Sequence, residues 1–180
     1  HLLENGAITS SDKRYINDGI EEMQWVAALR PSSIGVPAFE DSERQYLEIA
    51  ALTIRYKPDA KVSRLRELIH RAIPYPVILF GTDGIMSLAE LRFSQSEKGL
   101  LIIDGDILEA DPSAISSKLS IAKHPQNNLR TLYQGWCDLL APLVESSERQ
   151  KEIARLRKEI SKEPQMARRV ELNIKIKELL

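Results

Sequence analysis

The sequence predicts an α+β protein: a mainly antiparallel sheet with flanking helices, followed by a C-terminal helical, coiled-coil-like tail. Three observations lead there. The densest apolar run, Val77-Ile78-Leu79-Phe80, turns through Gly81-Thr82-Asp83-Gly84 and returns as Ile85 to Phe93. Asp-Gly between two apolar arms is a hairpin signal, since glycine takes the positive φ of a tight turn. Strand-type runs dominate the first two thirds of the chain, and helical periods alone fill the rest. Only one strand pair is joined by a helix of crossover length, which argues against a doubly wound parallel sheet. The division read from this pattern is an α+β domain over 1–127 and a helical extension over 128–180.

In chain order, Ser11 caps an expected helix that runs to Arg30 and stops at Pro31. Ile16, Ile20, Met23 and Ala27 share one face of it, with Trp25 alongside. Strands are expected at Ile34 to Val36 and at Tyr46 to Tyr56, separated by the polar loop Glu40 to Arg44. A helix follows from Ser63, with Leu65, Leu68, Ile69, Ala72 and Ile73 as its apolar stripe and Pro74 as its stop. Val77 to Phe80 lacks polar alternation, so it is placed in mid-sheet and covered on both faces. After the hairpin comes a strand at Leu100 to Ile103. The Ser- and Pro-containing stretch 111–127 reads as loop with a helical turn around Ile115 and Leu119.

The tail opens at Asn128, a helix cap before Leu129, Leu132, Tyr133, Trp136, Leu140 and Leu143. Pro142 is expected to kink or end that helix, and Ser147-Glu148-Arg149-Gln150 to start the next as a capping box. Ile153, Leu156 and Ile160 then step by three and four, as a coiled-coil seam does. Pro164 interrupts, and Val170, Leu172, Ile174, Ile176 and Leu179 resume a helical pattern. A fold-back near Ser161 to Glu163, with Pro164 in the first turn of the new helix, accommodates the missing N–H.

Composition sets the outer bounds. The chain has 180 residues, 43% of them hydrophobic and 28% charged, with net charge −1. These are globular values and give no general attraction for nucleic acid. The single cysteine, Cys137, excludes an internal disulfide and fits a reducing cytoplasm. No apolar run approaches the ~20 residues that span a bilayer, so no membrane role is expected. The start, His1-Leu2-Leu3-Glu4, lacks Met and a signal-peptide pattern, and the natural N-terminus is expected upstream.

Candidate chemistry is sparse. Asp83, Glu90 and Arg92 imitate the Asp…Glu-x-Lys layout of metal-dependent nucleases, in which carboxylates hold Mg²⁺ and a cation steers water. Arg stands where that layout has Lys, and a turn uses Asp for its own backbone bonding. Asp104, Asp106, Glu109 and Asp111 form a second acidic group, equally readable as a solvated turn at a strand end. His70 and His124 lack ligand-spaced partners, and Cys137 sits in an amphipathic helix as a small buried thiol. Gly81 and Gly84 belong to the hairpin rather than to a phosphate loop. No metal centre and no cofactor is expected.

The tail carries the one charge anomaly. Residues 151–180 hold nine Lys/Arg against five Glu, a net of +4. Arg168 and Arg169, beside Gln165 and Asn173, are candidates for phosphate contact, although a solvated helix face explains the same pattern. Ile153, Leu156, Ile160, Leu172, Ile176 and Leu179 are candidates for meeting a protein partner, because so narrow a seam on a charged helix requires a cover.

Several segments resemble one bacterial family. Lys13-Arg14-Tyr15 through Ile20, Trp25, Leu29, Pro31 and Ile34 looks like the opening of domain of unknown function 4391. Ile73-Pro74-Tyr75-Pro76 is similar to its helix-to-strand join, and Leu129-Arg130-Thr131-Leu132-Tyr133 to its later Leu-x-x-x-Tyr helix. The ending, Glu163-Pro164-Gln165-Met166-Ala167-Arg168-Arg169-Val170-Glu171-Leu172-Asn173, resembles the family's Glu-Lys-Gln-Phe-Asn-Arg-Lys-Val-Glu-Leu-Asn. Pro164 replaces Lys there, and Met166-Ala167 replaces Phe-Asn. The likeness spans Lys13 to Leu180. It implies a protein encoded beside helicases and DNA methyltransferases in restriction or phage-defence neighbourhoods, and it carries over no catalytic residue. The expectation is a non-catalytic accessory subunit docking such a partner through its C-terminal helices. The alternatives are a metal-dependent nuclease and a nucleic-acid-binding module that uses the basic tail.

Overall fold

The structure is a computed structural model and describes residues 8–179, without the side chain of Ser147. The expectation for the N-terminal end therefore lies outside the described residues. The chain divides at Leu140/Ala141 into two compact units.

Helix α1 (Ser10–Gly19) is capped by Thr9 rather than Ser11. Thr9 Oγ1 accepts the Asp12 N–H at 3.1 Å, while the Asp12 carboxylate accepts the Thr9 N–H at 3.0 Å. The helix does not reach Arg30. At Ile20 the chain extends into β1 (Ile20–Leu29), which pairs antiparallel with β4 (Ile49–Tyr56). The register slips between Ile20 and Glu22 and again between Trp25 and Ala27. Those two bulges convert a period of two into steps of three and four, so Ile20, Met23 and Ala27 imitate a helical face.

Pro31–Ile34 is a helical turn, α2, closed by Gly35 at φ +72°. The strand expected at Ile34 to Val36 does not form, because Ile34 ends α2 and Gly35 takes the left-handed conformation that closes a turn. The polar loop lies as predicted, between β2 (Phe39–Glu40) and β3 (Gln45–Tyr46). Asp41 Oδ1 accepts the N–H groups of Glu43 and Arg44 at 2.8 and 2.7 Å and shapes it.

From β4 the chain crosses through α3 (Val62–Ala72) to β5 (Val77–Gly81), parallel to β4, and returns antiparallel as β6 (Met86–Leu88). The hairpin is shorter than its apolar arm. After Ala89 the chain leaves the sheet, and β7 (Leu91–Phe93) pairs with β8 (Leu101–Ile103) in a separate ribbon. The place beside β6 goes to β9 (Leu108–Ala110), which gives a sheet ordered β1-β4-β5-β6-β9. One parallel junction makes the sheet mixed, within the α+β class predicted.

Strand β5 lies inside the sheet, and its two faces differ. On the α3 side, Leu52, Ile54, Ile69, Ile73, Val77 and Leu79 form a sealed cluster. On the other, Tyr46, Ile49, Met86 and Leu88 pack on Leu129, Leu132, Tyr133, Trp136 and Leu140, while Ile78 and Phe80 stay half-buried. The Phe80 face is therefore less completely covered than its apolar run implies.

Helix α4 (Pro112–Ile115) and 3-10 turns at Ser116–Lys118 and Ile121–Lys123 occupy the stretch 111–127, where a loop with a single helical turn was expected. Asn128 caps α5 (Leu129–Lys162), accepting the Thr131 N–H at 2.9 Å on Oδ1. Pro142 does not end α5, nor does a new helix start at 147–150; the backbone continues helical through both. The unit boundary consequently falls inside α5 rather than at 127/128, since its first three turns are core to the sheet. Helix α6 (Met166–Leu179) begins after a break that contains Pro164, which precedes the helix instead of occupying its first turn.

Within the second unit, α6 folds back on α5. Ile153, Leu156, Leu172 and Ile176 are buried together, with Ile160 and Leu179 packed against them.

Candidate functional site

The carboxylates singled out in the sequence fall into two arginine-centred networks. Arg66, on the buried side of α3, has a side chain only 6% exposed and pairs with Asp83 in the β5–β6 turn. Its other terminal nitrogen donates to Glu109 of β9 at 3.0 Å. The guanidinium lies 6.0 Å from the centre of the Tyr56 ring, whose hydroxyl burial pushes up to about 12. A buried cation with two carboxylates ties helix, turn and edge strand together.

Glu90 belongs elsewhere. It sits at the corner where the chain leaves β6, and accepts from Arg44 Nη1 at 3.2 Å. Arg44 also pairs with Asp104 and donates to the Leu91 carbonyl at 3.3 Å. Arg92 donates from Nε to Asp104 at 3.2 Å. This network fastens the β2–β3 loop to the β7–β8 ribbon, where the Phe93 N–H also donates to the Glu43 carbonyl at 2.7 Å.

Asp83 thus lies in a different network from Glu90 and Arg92, and the three do not form one centre. Asp111 caps α4 by accepting the Ser113 N–H at 2.8 Å, so the second acidic group is dispersed as well. Among the described residues no three His, Cys, Asp or Glu side chains converge as metal ligands do. A cleft of about 770 Å³ lies between α3 and the β8–β9 region, lined by Glu67, Arg71, Glu97, Asp106 and Glu109 over Leu100 and Ile102. Like-charged carboxylates give it a negative lining without a defined ligand geometry.

Sequence reasoning missed one pair. His70 Nε2 lies 3.0 Å from Ser87 Oγ, with the residues 2% and 0% exposed. A serine–histidine contact suggests nucleophilic chemistry, but these atoms are sealed between α3 and β6 and no substrate reaches them. A Ser in the short β6 arm gave no pattern from which the contact was readable. Arg44 was likewise hidden in a polar loop.

In the second unit, the six apolar positions predicted to meet a partner meet one another. Leu172 and Ile176, with Ile153 and Leu156, are buried inside the hairpin. On α6 the large apolar side chains left uncovered are Met166, Val170 and Ile174, at 73%, 52% and 52% exposure, and on α5 Leu143 is exposed as well. Steps of four place them in one row, on a different face of α6 from Leu172 and Ile176. Arg168 is engaged by Glu171 at 3.1 Å and Glu159 at 3.9 Å. Arg169 projects from the exposed surface, one position before Val170.

A mixed five-stranded sheet with arginine-locked strands and a basic helical hairpin defines an α+β protein that carries a row of exposed apolar side chains on its last helix, besides Trp25, Val26, Leu47 and Leu143 elsewhere. The chain belongs to the family described as a domain of unknown function (DUF4391), whose family model matches residues 1–180. No curated protein and no solved structure matches it. Among the described residues no helix is long and apolar enough to cross a membrane.

Proposed function

We propose that this protein is a cytoplasmic, non-catalytic accessory subunit of a bacterial DNA-targeting system of the restriction or phage-defence kind. It docks a helicase or DNA methyltransferase through its C-terminal helices. The supporting observation is the uncovered row Met166, Val170 and Ile174, standing on a helix whose Leu172, Ile176 and Leu179 are already packed inside the hairpin. An adaptor needs such a row, because apolar area removed from water is the main non-directional source of association. A nuclease instead needs carboxylates free to hold a metal, and Asp83, Glu90, Asp104 and Glu109 are each held by an arginine. The defence setting comes from the family resemblance alone.

Co-expression with the products of the neighbouring genes, a helicase or DNA methyltransferase on this proposal, tests the reading. The wild-type chain is expected to co-purify with one of them, and Val170→Asp with Ile174→Asp to abolish this while the sheet unit stays folded. Metal-dependent DNA or RNA cleavage by the purified chain, lost in Glu90→Ala, would replace this proposal with the nuclease reading.

A further inference from the structure

We infer that the exposed face of α6 receives an amphipathic helix whose apolar row is bordered by acidic side chains on the flank that faces Arg169 and Lys177, completing a three-helix bundle with α5 and α6. This rests on the docking reading above and names the chemistry of the docked segment. Two adjacent rows at steps of four define the face: Met166, Val170 and Ile174, and beside them Arg169, Asn173 and Lys177. Neighbouring rows of this kind bound a groove into which a row from another helix packs.

The apolar row lies roughly 140° around α6 from the buried pair Leu172 and Ile176, at 3.6 residues per turn. Helix α6 is therefore apolar on two faces and covered on one. A helix with two apolar faces is the central member of a bundle. Its present partner, α5, covers one of them with only Ile153 and Leu156 buried and Ile160 partly buried. Such a hairpin is small for independent stability, and a third helix adds core where α6 already offers it.

Charge complementarity fixes the character of that helix. Arg169 and Lys177 flank the apolar row without carboxylate partners among the described residues, and both are exposed. The surrounding segment, 151–180, carries +4. Asn173 is already used, donating to the Arg169 carbonyl at 2.9 Å. An acidic flank on the incoming helix meets the basic row while its apolar row covers Val170 and Ile174. Nucleic acid matches the cations but leaves the apolar row exposed, and Glu171 and Glu178 on the opposite flank repel phosphate. A second copy of this chain presents the same basic row.

The test uses the full-length chain and three fluorescent probes: a designed amphipathic helical peptide with an apolar seam, Glu along one flank and neutral Gln along the other (the Glu-flanked peptide), the same peptide with Lys in place of Glu (the Lys-flanked peptide), and duplex DNA. The Glu-flanked peptide is expected to bind ~10-fold or more tightly than the Lys-flanked one, with affinity falling as salt rises. Ile174→Asp should abolish binding, and Arg169→Glu with Lys177→Glu should reverse the preference between peptides. Both sites are exposed, and circular dichroism verifies that the variants keep their helix. Equal binding of the two peptides, binding of neither, preference for the duplex, or self-association that occupies the face in sedimentation would each overturn the inference. Co-purification with the helicase or methyltransferase that survives the Arg169→Glu, Lys177→Glu reversal would sink the acidic-helix chemistry and leave docking intact. Selective peptide binding without co-purification would uphold the chemistry and remove the defence partner.

Discussion

His70 is sealed at the inner end of α3, and burial, then the nearby Arg66 charge, push its pKa down to about 3 from an ordinary 6.5. The folded state therefore refuses a proton that the unfolded chain accepts. Stability from this site is present above pH 6.5 and is lost as pH falls from 6.5 towards 3, at about 1.4 kcal/mol per pH unit. Urea unfolding between pH 7 and 5 should show about 2 kcal/mol of loss that His70→Gln removes. Equal pH slopes in both proteins would show that His70 is not the titrating group. Neighbouring residues invite comparable measurements. Burial raises the Cys137 thiol far above its ordinary range, so a thiol reagent should label it only on unfolding. The Tyr133 hydroxyl lies 2.8 Å from the Val77 carbonyl and accepts the Ala89 N–H at 3.0 Å. Tyr133→Phe leaves both backbone groups buried and short of a partner, and should cost ~1–3 kcal/mol in denaturant titration.

Among the elements, the β4–α3–β5 crossover carries the core, because Leu79 and Ile69 are wholly buried on one face of the sheet. Leu79→Ala should cost ~2–5 kcal/mol, read from the denaturant midpoint. Phe80→Ala should cost less, since Phe80 faces the incompletely covered side. The same elements show what the sequence revealed. Helix α3 was legible because Leu65, Leu68, Ile69 and Ala72 keep a clean helical period that stops before Pro74. Strand β1 was not, because the Glu21 and Val26 bulges break alternation, and its pairing with β4 lies beyond any local window. Strand β9 was hidden for a related reason. Its Leu108-Glu109-Ala110 is too short to show a period, and Glu109 reads as part of an acidic turn until Arg66 is placed beside it. In the tail, the seam and the Pro164 break were readable. Which apolar row the hairpin uses for itself was not, since Leu172 and Val170 are equally apolar and only packing separates them.

At the scale of the whole molecule, the two units differ in how much core holds each of them. The first stacks three clusters around its sheet, whereas the second rests on Ile153, Leu156, Leu172 and Ile176 with Ile160 and Leu179. Local opening free energy follows buried apolar contact, so the hairpin should open far more often than the sheet. Amide hydrogen exchange should therefore be fastest over 141–179 and slowest in β4, α3 and β5. Leu172→Ala should accelerate exchange in the hairpin and leave the sheet amides unchanged, because the units divide within α5 and the hairpin core is its own. A helix docked on Met166, Val170 and Ile174 would then stabilise the second unit by mass action, slowing hairpin exchange in proportion to its occupancy. Uniform exchange across both units, or acceleration of β4 and β5 by Leu172→Ala, would mean that the chain opens as one cooperative body and that the hairpin is not separately available for docking.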